Sequence, residues 1–308
     1  MMERLMSLTR QLPLFAPVSV ADLTPQTPLS ATISIFQQYL QRQGKSAHTV
    51  NAFTSDLQLL IGFSGDEQTI GRMTTAHLNR FLHWLEFERG VPCSRKSYAR
   101  RVTTLKVYFK WLHANEVIPH DPALPVLQRS GQAPLQDILS ADEVESVLYA
   151  ASALRRGEKP DARPEFLFRL LLETGMKKGE VMRLTPADIL RGQPSQIIVR
   201  HKNARNIFQE RKLPVSDVLM TVLAEYVGQY HPQTSLMTCT ARNLEYILDD
   251  LGTKAGIDHK ISFEMMRWTS AVRDFVNGEN PDMIREKLGL SRISWVETFS
   301  KIKRLAAQ

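Results

Sequence analysis

Four successive stretches between Ser30 and Leu112 place apolar residues at helical spacing, so this part of the chain has to bury helix against helix. Ile33, Ile35, Phe36, Tyr39 and Leu40 form the first stripe, with Gly44 where a left-handed C-cap belongs. Ser46-Ala47-His48-Thr49 opens the second, which carries Val50, Phe53, Leu57, Leu60 and Phe63. Thr74-Thr75 opens the third, with Leu78, Phe81, Leu82, Trp84 and Leu85. Ser and Thr ahead of an apolar period are N-cap signals. The fourth runs from Ser94 to Leu112: Val102, Leu105, Tyr108, Phe109 and Leu112 face inward, and Arg95, Lys96, Arg100, Arg101, Lys106 and Lys110 are expected on the other faces. Such a basic face is either solvated or lies in a DNA groove, reaching phosphates and guanine edges.

At 308 residues the chain has room for two domains. The expected division is an irregular N-terminal arm over 1–29, with a short helix before Pro13, a helical domain over 30–126, a linker over 127–138, and a second domain over 139–308. The linker reading rests on Gln128, Ser130, Gly131, Gln132 and Pro134 with little periodicity. No apolar run reaches the roughly 20 residues a membrane span needs, and the charged, Pro-broken first residues do not resemble a signal peptide. Cys93 and Cys239 read as semi-buried thiols in a reducing, cytoplasmic setting. The eight histidines, His48, His77, His83, His113, His120, His201, His231 and His259, have no ligand spacing, so no metal is expected, and no Gly-rich phosphate loop points to a cofactor. The net charge of +7 suits a polyanionic partner. Between Ala31 and Val126 there are 11 Lys and Arg against 7 Asp and Glu, and between Leu139 and Gln308 25 against 22, so the excess per residue is larger in the first part.

In the second part, Ser140 with Asp142 and Glu143 starts a helix, Phe166 to Leu172 is a buried helix, and Glu173-Thr174-Gly175-Met176-Lys177-Lys178-Gly179-Glu180 opens the next. Ile197 to Lys202 reads as a strand paired with Arg211 to Val215; helices follow from Ser216 to Tyr226 and from Asn243 to Leu251. Between Ile261 and Phe299 one arginine, Arg267, could grip a phosphate. Glu264, one turn before it, would repel one, and Leu290 and Phe299 can neither donate a proton nor attack.

These segments, in this order, resemble the tyrosine recombinase (phage integrase) family over roughly Ser30 to Lys301. The resemblance rests on S-x-x-T at 46–49, the basic start S-R-K-S-Y-A-R-R, the Y-F-K-W-L helix end, I-P-H-D-P-A with Asp121 for the usual Asn, T-G-x-K-x-x-E for T-G-x-R-x-x-E, and the frame H-x-x-R, L-G-H, Tyr. It implies a mainly α chain: a helical core-binding (SAM-like) domain and an α-rich catalytic-type domain with a small antiparallel sheet. It also implies that His48, Thr49, Arg95, Lys96, Arg100 and Arg101 contact DNA, with Lys177, Lys202 and Arg267 at the phosphate. In the family a tyrosine hydroxyl attacks the phosphate, two arginines and a histidine stabilise its charge, and a lysine protonates the leaving 5′ oxygen. Here Lys177 stands at the first Arg, Lys202 at the Lys, Glu264 at the first His, Arg267 at the second Arg, Leu290 at the second His and Phe299 at the Tyr. Lysine keeps the charge of arginine but loses its bidentate fork. Trp268 stands where another His is frequent and is expected to pack; Tyr226, Tyr230 and Tyr246, on or beside the earlier helices, read as core or surface residues. Phe for Tyr is a change an experimenter could make to trap a complex, but Lys177, Glu264 and Leu290 departing together argue a natural loss.

The expectation is therefore a catalytically inactive pseudo-enzyme that binds double-stranded DNA as an architectural, regulatory or accessory factor, nucleoid-associated in the cytoplasm. An active recombinase, or a second copy of itself, would be a further partner. A divergent active recombinase using another nucleophile and a protein-interaction module on the same fold are the competing readings.

Overall fold

Helices begin where a hydroxyl caps them. The structure, a computed structural model, describes residues 19–128, 135–201 and 210–307, and the chain divides into two units, 1–133 and 134–308. In the first unit α1 (Ile33–Arg42) is followed by α2 (Ala47–Ser64), α3 (Thr75–Phe87) and α4 (Arg95–Ala114). Ser46 accepts from the Thr49 N–H, Thr74 from that of His77 and Ser94 from that of Ser97, at 3.1–3.2 Å. Each cap satisfies a backbone donor that the helix itself leaves open.

The apolar stripes meet in one core that includes Phe36, Leu57, Leu60, Phe81, Leu105 and Phe109. Tyr108 is fully buried within it and keeps its hydroxyl satisfied: Thr32 gives its proton to the Leu29 carbonyl and accepts from Tyr108 at 2.6 Å. Leu23 and Leu29 are also buried here, so the arm expected to be irregular up to residue 29 ends inside the core. Residues 1–18, with the short helix expected before Pro13, lie outside the described residues.

The second unit packs α5 (Ala141–Arg156), α6 (Arg163–Thr174) and the single turn α7 (Lys178–Val181) ahead of a small sheet. Its strands β1 (Ile189–Leu190), β2 (Ser195–Val199) and β3 (Arg211–Val215) are antiparallel in the order β1-β2-β3, with Ile197 opposite Ile189 and Leu213. The expected strand therefore starts two residues earlier than Ile197 and ends at Val199. Helices α8 (Asp217–Tyr230), α9 (Ala241–Lys254), α10 (Phe263–Val276), α11 (Pro281–Lys287) and α12 (Arg292–Ala306) complete the unit. Its main core gathers around α6, whose Phe166, Leu167, Phe168, Leu170 and Leu171 are wholly buried. A smaller cluster joins Ala271 and Val272 of α10, Ile284 of α11, Leu288, and Ile302 and Leu305 of α12. Leu135 and Ile138, read from sequence as linker, pack against that cluster.

The α-rich scaffold and the small antiparallel sheet expected of the second domain are thus both present. No helix among the described residues is long and apolar enough to cross a membrane, and none of those residues gather into a metal-binding group of His, Cys, Asp or Glu.

Candidate functional site

The geometry of the site begins at the end of α6. Gly175 sits at φ 59°, where an L side chain is strained, and a Cβ there would meet Leu288 Cδ2 at 3.0 Å. The left-handed cap turns the chain sharply, and the Gly175 carbonyl then receives Nη1 of Arg267 at 2.5 Å. Nη2 of the same arginine reaches the Leu288 carbonyl at 2.5 Å. Arg267 makes no ion pair within 4 Å of a described carboxylate; its half-buried guanidinium is held by two carbonyl dipoles, with Glu180 and Glu264 acting on its charge from further away. Burial pushes its pKa down to about 10, the price of keeping a cation where water is scarce.

Lys177 leaves the Gly175 turn in extended conformation, and its ammonium lies close enough to Arg267 to feel it. Desolvation first, and then the Arg267 charge, lower the Lys177 pKa. Two cations that destabilise each other form a standing demand for an anion.

The pair is positioned by Glu180, 3% exposed, which sequence reading left without a role. Its Oε2 accepts the Lys177 backbone N–H at 2.9 Å and Nη2 of Arg211 at 3.0 Å, while Oε1 accepts Nη1 of Arg211 at 3.2 Å. Burial alone would raise the Glu180 carboxyl, but the Arg211 fork and the Lys177 N–H outweigh it and hold the pKa below the usual range. Arg211 also donates from Nε to the Lys287 carbonyl at 2.7 Å, tying β3 to the end of α11. Gly289, at φ 60°, leaves room for this: a Cβ there would lie 2.9 Å from Arg211 Nη1. In the sequence Glu180 shows only as the last residue of T-G-x-K-x-x-E, and nothing local marks Arg211 as its partner.

Lys177 and Arg267 line a pocket of about 360 Å³ together with Lys178, Glu264, Thr298 and an apolar wall of Phe263, Trp268, Ala271, Leu288 and Leu290. Glu264 is exposed at α10's first turn and forms no ion pair with Arg267. Leu290 and Trp268 also pack against the smaller core cluster, as expected for Trp268. Phe299 does not line the pocket. Its ring stacks on Trp295 at 5.1 Å, meets the Phe275 ring edge-on at 5.6 Å, and carries the Lys303 ammonium 5.0 Å from its centroid. Tyr226, Tyr230 and Tyr246 are elsewhere. Tyr226 is buried and donates to the Leu236 carbonyl, Tyr230 donates to Asp161, and Tyr246 is exposed and accepts from Arg242. Lys202 lies outside the described residues, as does the connecting segment through 209.

In the first unit, His48, Arg95 and Lys96 are exposed and Thr49 is half-buried, at the starts of α2 and α4. Arg95 and Lys96 occupy the first turn of a 20-residue helix, where the backbone is already electropositive, and no described carboxylate pairs with them. Arg100 and Arg101 require a correction: they do not belong to the outer basic face. Arg100 Nη1 donates to Asp56 Oδ2 at 2.7 Å and to the Ala52 carbonyl at 2.9 Å. Arg101 is buried, with Nε 3.5 Å from Asp56 Oδ1 and Nη1 2.7 Å from Cys93 Sγ. Asp56 is 2% exposed on α2, and desolvation raises its pKa despite Thr104, Arg100 and Arg101. Burying an unpaired carboxylate would cost several kcal/mol, and the two arginines turn inward to meet it.

Comparisons with known proteins agree with this arrangement. Residues 33–116 match the phage integrase N-terminal SAM-like domain and residues 137–304 match the phage integrase family. Tyrosine recombinase XerD of Listeria innocua is 23% identical over 277 residues, covering 85% of this chain and 91% of the relative. Tyrosine recombinase XerC of Mycobacterium tuberculosis is 28% identical over 164 residues, 52% of this chain and 54% of that one. Among solved structures, a lambda integrase dimer bound to a COC′ core site aligns with a TM-score of 0.69 at 14% identity, covering 88% of this chain and 77% of that chain. XerH site-specific recombinase bound to palindromic difH substrate aligns at 0.68 with 15% identity, covering 90% and 82%. A match that spans more than half of the chain, on a mainly α scaffold with a three-stranded sheet, places the protein in the phage integrase family of tyrosine recombinases.

Proposed function

We propose that this family member binds double-stranded DNA without cutting it, and serves as an architectural, regulatory or accessory factor in DNA recombination. The observation that carries the reading is the split state of the second unit's pocket. Arg267 is still locked by two carbonyls beside a second cation at Lys177, while Leu290 and exposed Glu264 stand on the pocket wall and Phe299 lies off it in an aromatic stack. The two cations suit an anion, and phenylalanine stands where the family resemblance puts the attacking tyrosine. Solved relatives are bound to a core site and to a difH substrate, and the same partner suits a chain whose α4 presents unpaired Arg95 and Lys96 at an electropositive helix start. Assembly with a second copy or with an active recombinase fits the same reading.

Charge reversal at the exposed pair tests it. Arg95→Glu with Lys96→Glu removes two phosphate contacts and adds two repulsions, so the affinity for a labelled duplex, read by fluorescence anisotropy, should fall at least ~10-fold across unrelated sequences. Unchanged affinity would instead favour a protein-interaction module. Half-buried Arg100 and buried Arg101 are unsuited to this test, because replacing them leaves Asp56 unpaired and lowers stability.

A further inference from the structure

His201 follows β2 and has no role in the function proposed so far. Its side chain is 9% exposed, and its Nε2 is buried with no hydrogen-bond partner, 3.8 Å from Glu180 Oε1. A buried imidazole nitrogen without a partner is uncommon enough to need a reason. The distance is too long for a hydrogen bond and short enough to become one with a small rotation. Glu180 Oε1 can accept it alongside the 3.2 Å bond from Arg211, since a carboxylate oxygen has room for two.

The charges that face the ring come from every element packed around it. Lys177 comes from the turn between α6 and α7, Glu180 from α7, Arg183 follows α7, and Arg211 lies on β3. Glu210, just ahead of β3, accepts the His201 backbone N–H at 2.9 Å. Burial is the largest influence and keeps the ring neutral; Glu180 works against it, and Arg183, Arg211 and Lys177 reinforce it. Three cations thus oppose a fourth charge until something cancels their field.

We propose that His201 links proton uptake to anion binding at Lys177 and Arg267: as a phosphate settles there, the imidazole takes a proton and closes its open bond to Glu180. The step is one proton gained from solvent and one hydrogen bond formed. It rests on the reading of that pocket as a phosphate site. Glu180 is the physical connection, since the same carboxylate holds the Lys177 backbone and faces the ring. The sign follows from linkage: if the bound state raises the His201 pKa above its free value, binding is tightest below the free pKa, and the gain is lost as pH rises through the bound one.

The experiment is a pair of measurements on the full chain. In the first, NMR follows the His201 imidazole through a pH titration, alone and with saturating inorganic pyrophosphate or a short duplex. The anion should raise its pKa by about one unit, which corresponds to about tenfold tighter binding at low than at high pH. In the second, duplex affinity at constant ionic strength is compared between about pH 5.5 and pH 8 for the wild type and His201→Gln, which should lose about tenfold of that pH dependence. A merely structural role would shift affinity equally at all pH values. A His201 pKa unmoved by either anion, or an identical pH slope in the variant, overturns the proposal. Failure of the duplex alone to bind would overturn the DNA reading, while pyrophosphate still decides the role of His201.

Discussion

Phe299→Tyr, made alone, should not give a strand-cleaving enzyme. The substitution supplies a hydroxyl, but on a ring sandwiched between Trp295 and Phe275 rather than lining the pocket with Lys177 and Arg267. Family resemblance also calls for proton-donating side chains at 264 and 290, where Glu and Leu now stand. Each missing donor typically costs about 10²–10³ in rate, so two leave a shortfall of ~10⁴–10⁶. Exposed Glu264 adds a negative charge beside the phosphate that the donors would have stabilised. Cleavage of a nicked duplex, followed on a denaturing gel, is therefore expected to stay below detection in the single variant. Cleavage by the single variant would mean that the remaining pocket is still catalytic.

Duplex affinity should fall steeply with salt. Each neutralised phosphate contributes a slope of about −0.9 in log affinity against log salt, so the four cations Arg95, Lys96, Lys177 and Arg267 give about −3.6. Raising salt from about 50 to 200 mM then weakens binding by ~10², and by ~10³–10⁵ if six to ten phosphates are touched in all. Specific base contacts would add affinity without adding to this slope. A flat response over the same range is what a protein-binding surface would show, because its contacts would not release counterions.

Helix starts were legible in the sequence because a cap is a local event. Ser46, Ser94, Ser140 and Ser216 each accept the backbone N–H three residues on, and a reader needs only those residues to expect it. That Glu, Leu and Phe stand at 264, 290 and 299 needs no structure to read, since these are identities rather than geometries. The direction of Arg100 and Arg101 was not. It depends on Asp56, more than 40 residues earlier, being carried into the core by an apolar helix, and helical spacing alone put both arginines outside. Glu180 with Arg211 was hidden for the same reason: the ion pair spans 31 positions, and one partner sits in what reads as an ordinary amphipathic strand. The two-residue strand β1 escaped because its pairing with β2, not its own composition, makes it a strand.

Incubation of the unmodified protein with a suicide duplex that traps any covalent intermediate tests the central claim most directly. One sample is read twice, by anisotropy for bound DNA and on a denaturing gel for protein attached to it. The expected result is saturable binding at low salt with no band of protein-linked DNA. A protein-linked band would contradict the account, since some hydroxyl other than that absent from Phe299 would then be attacking the phosphate.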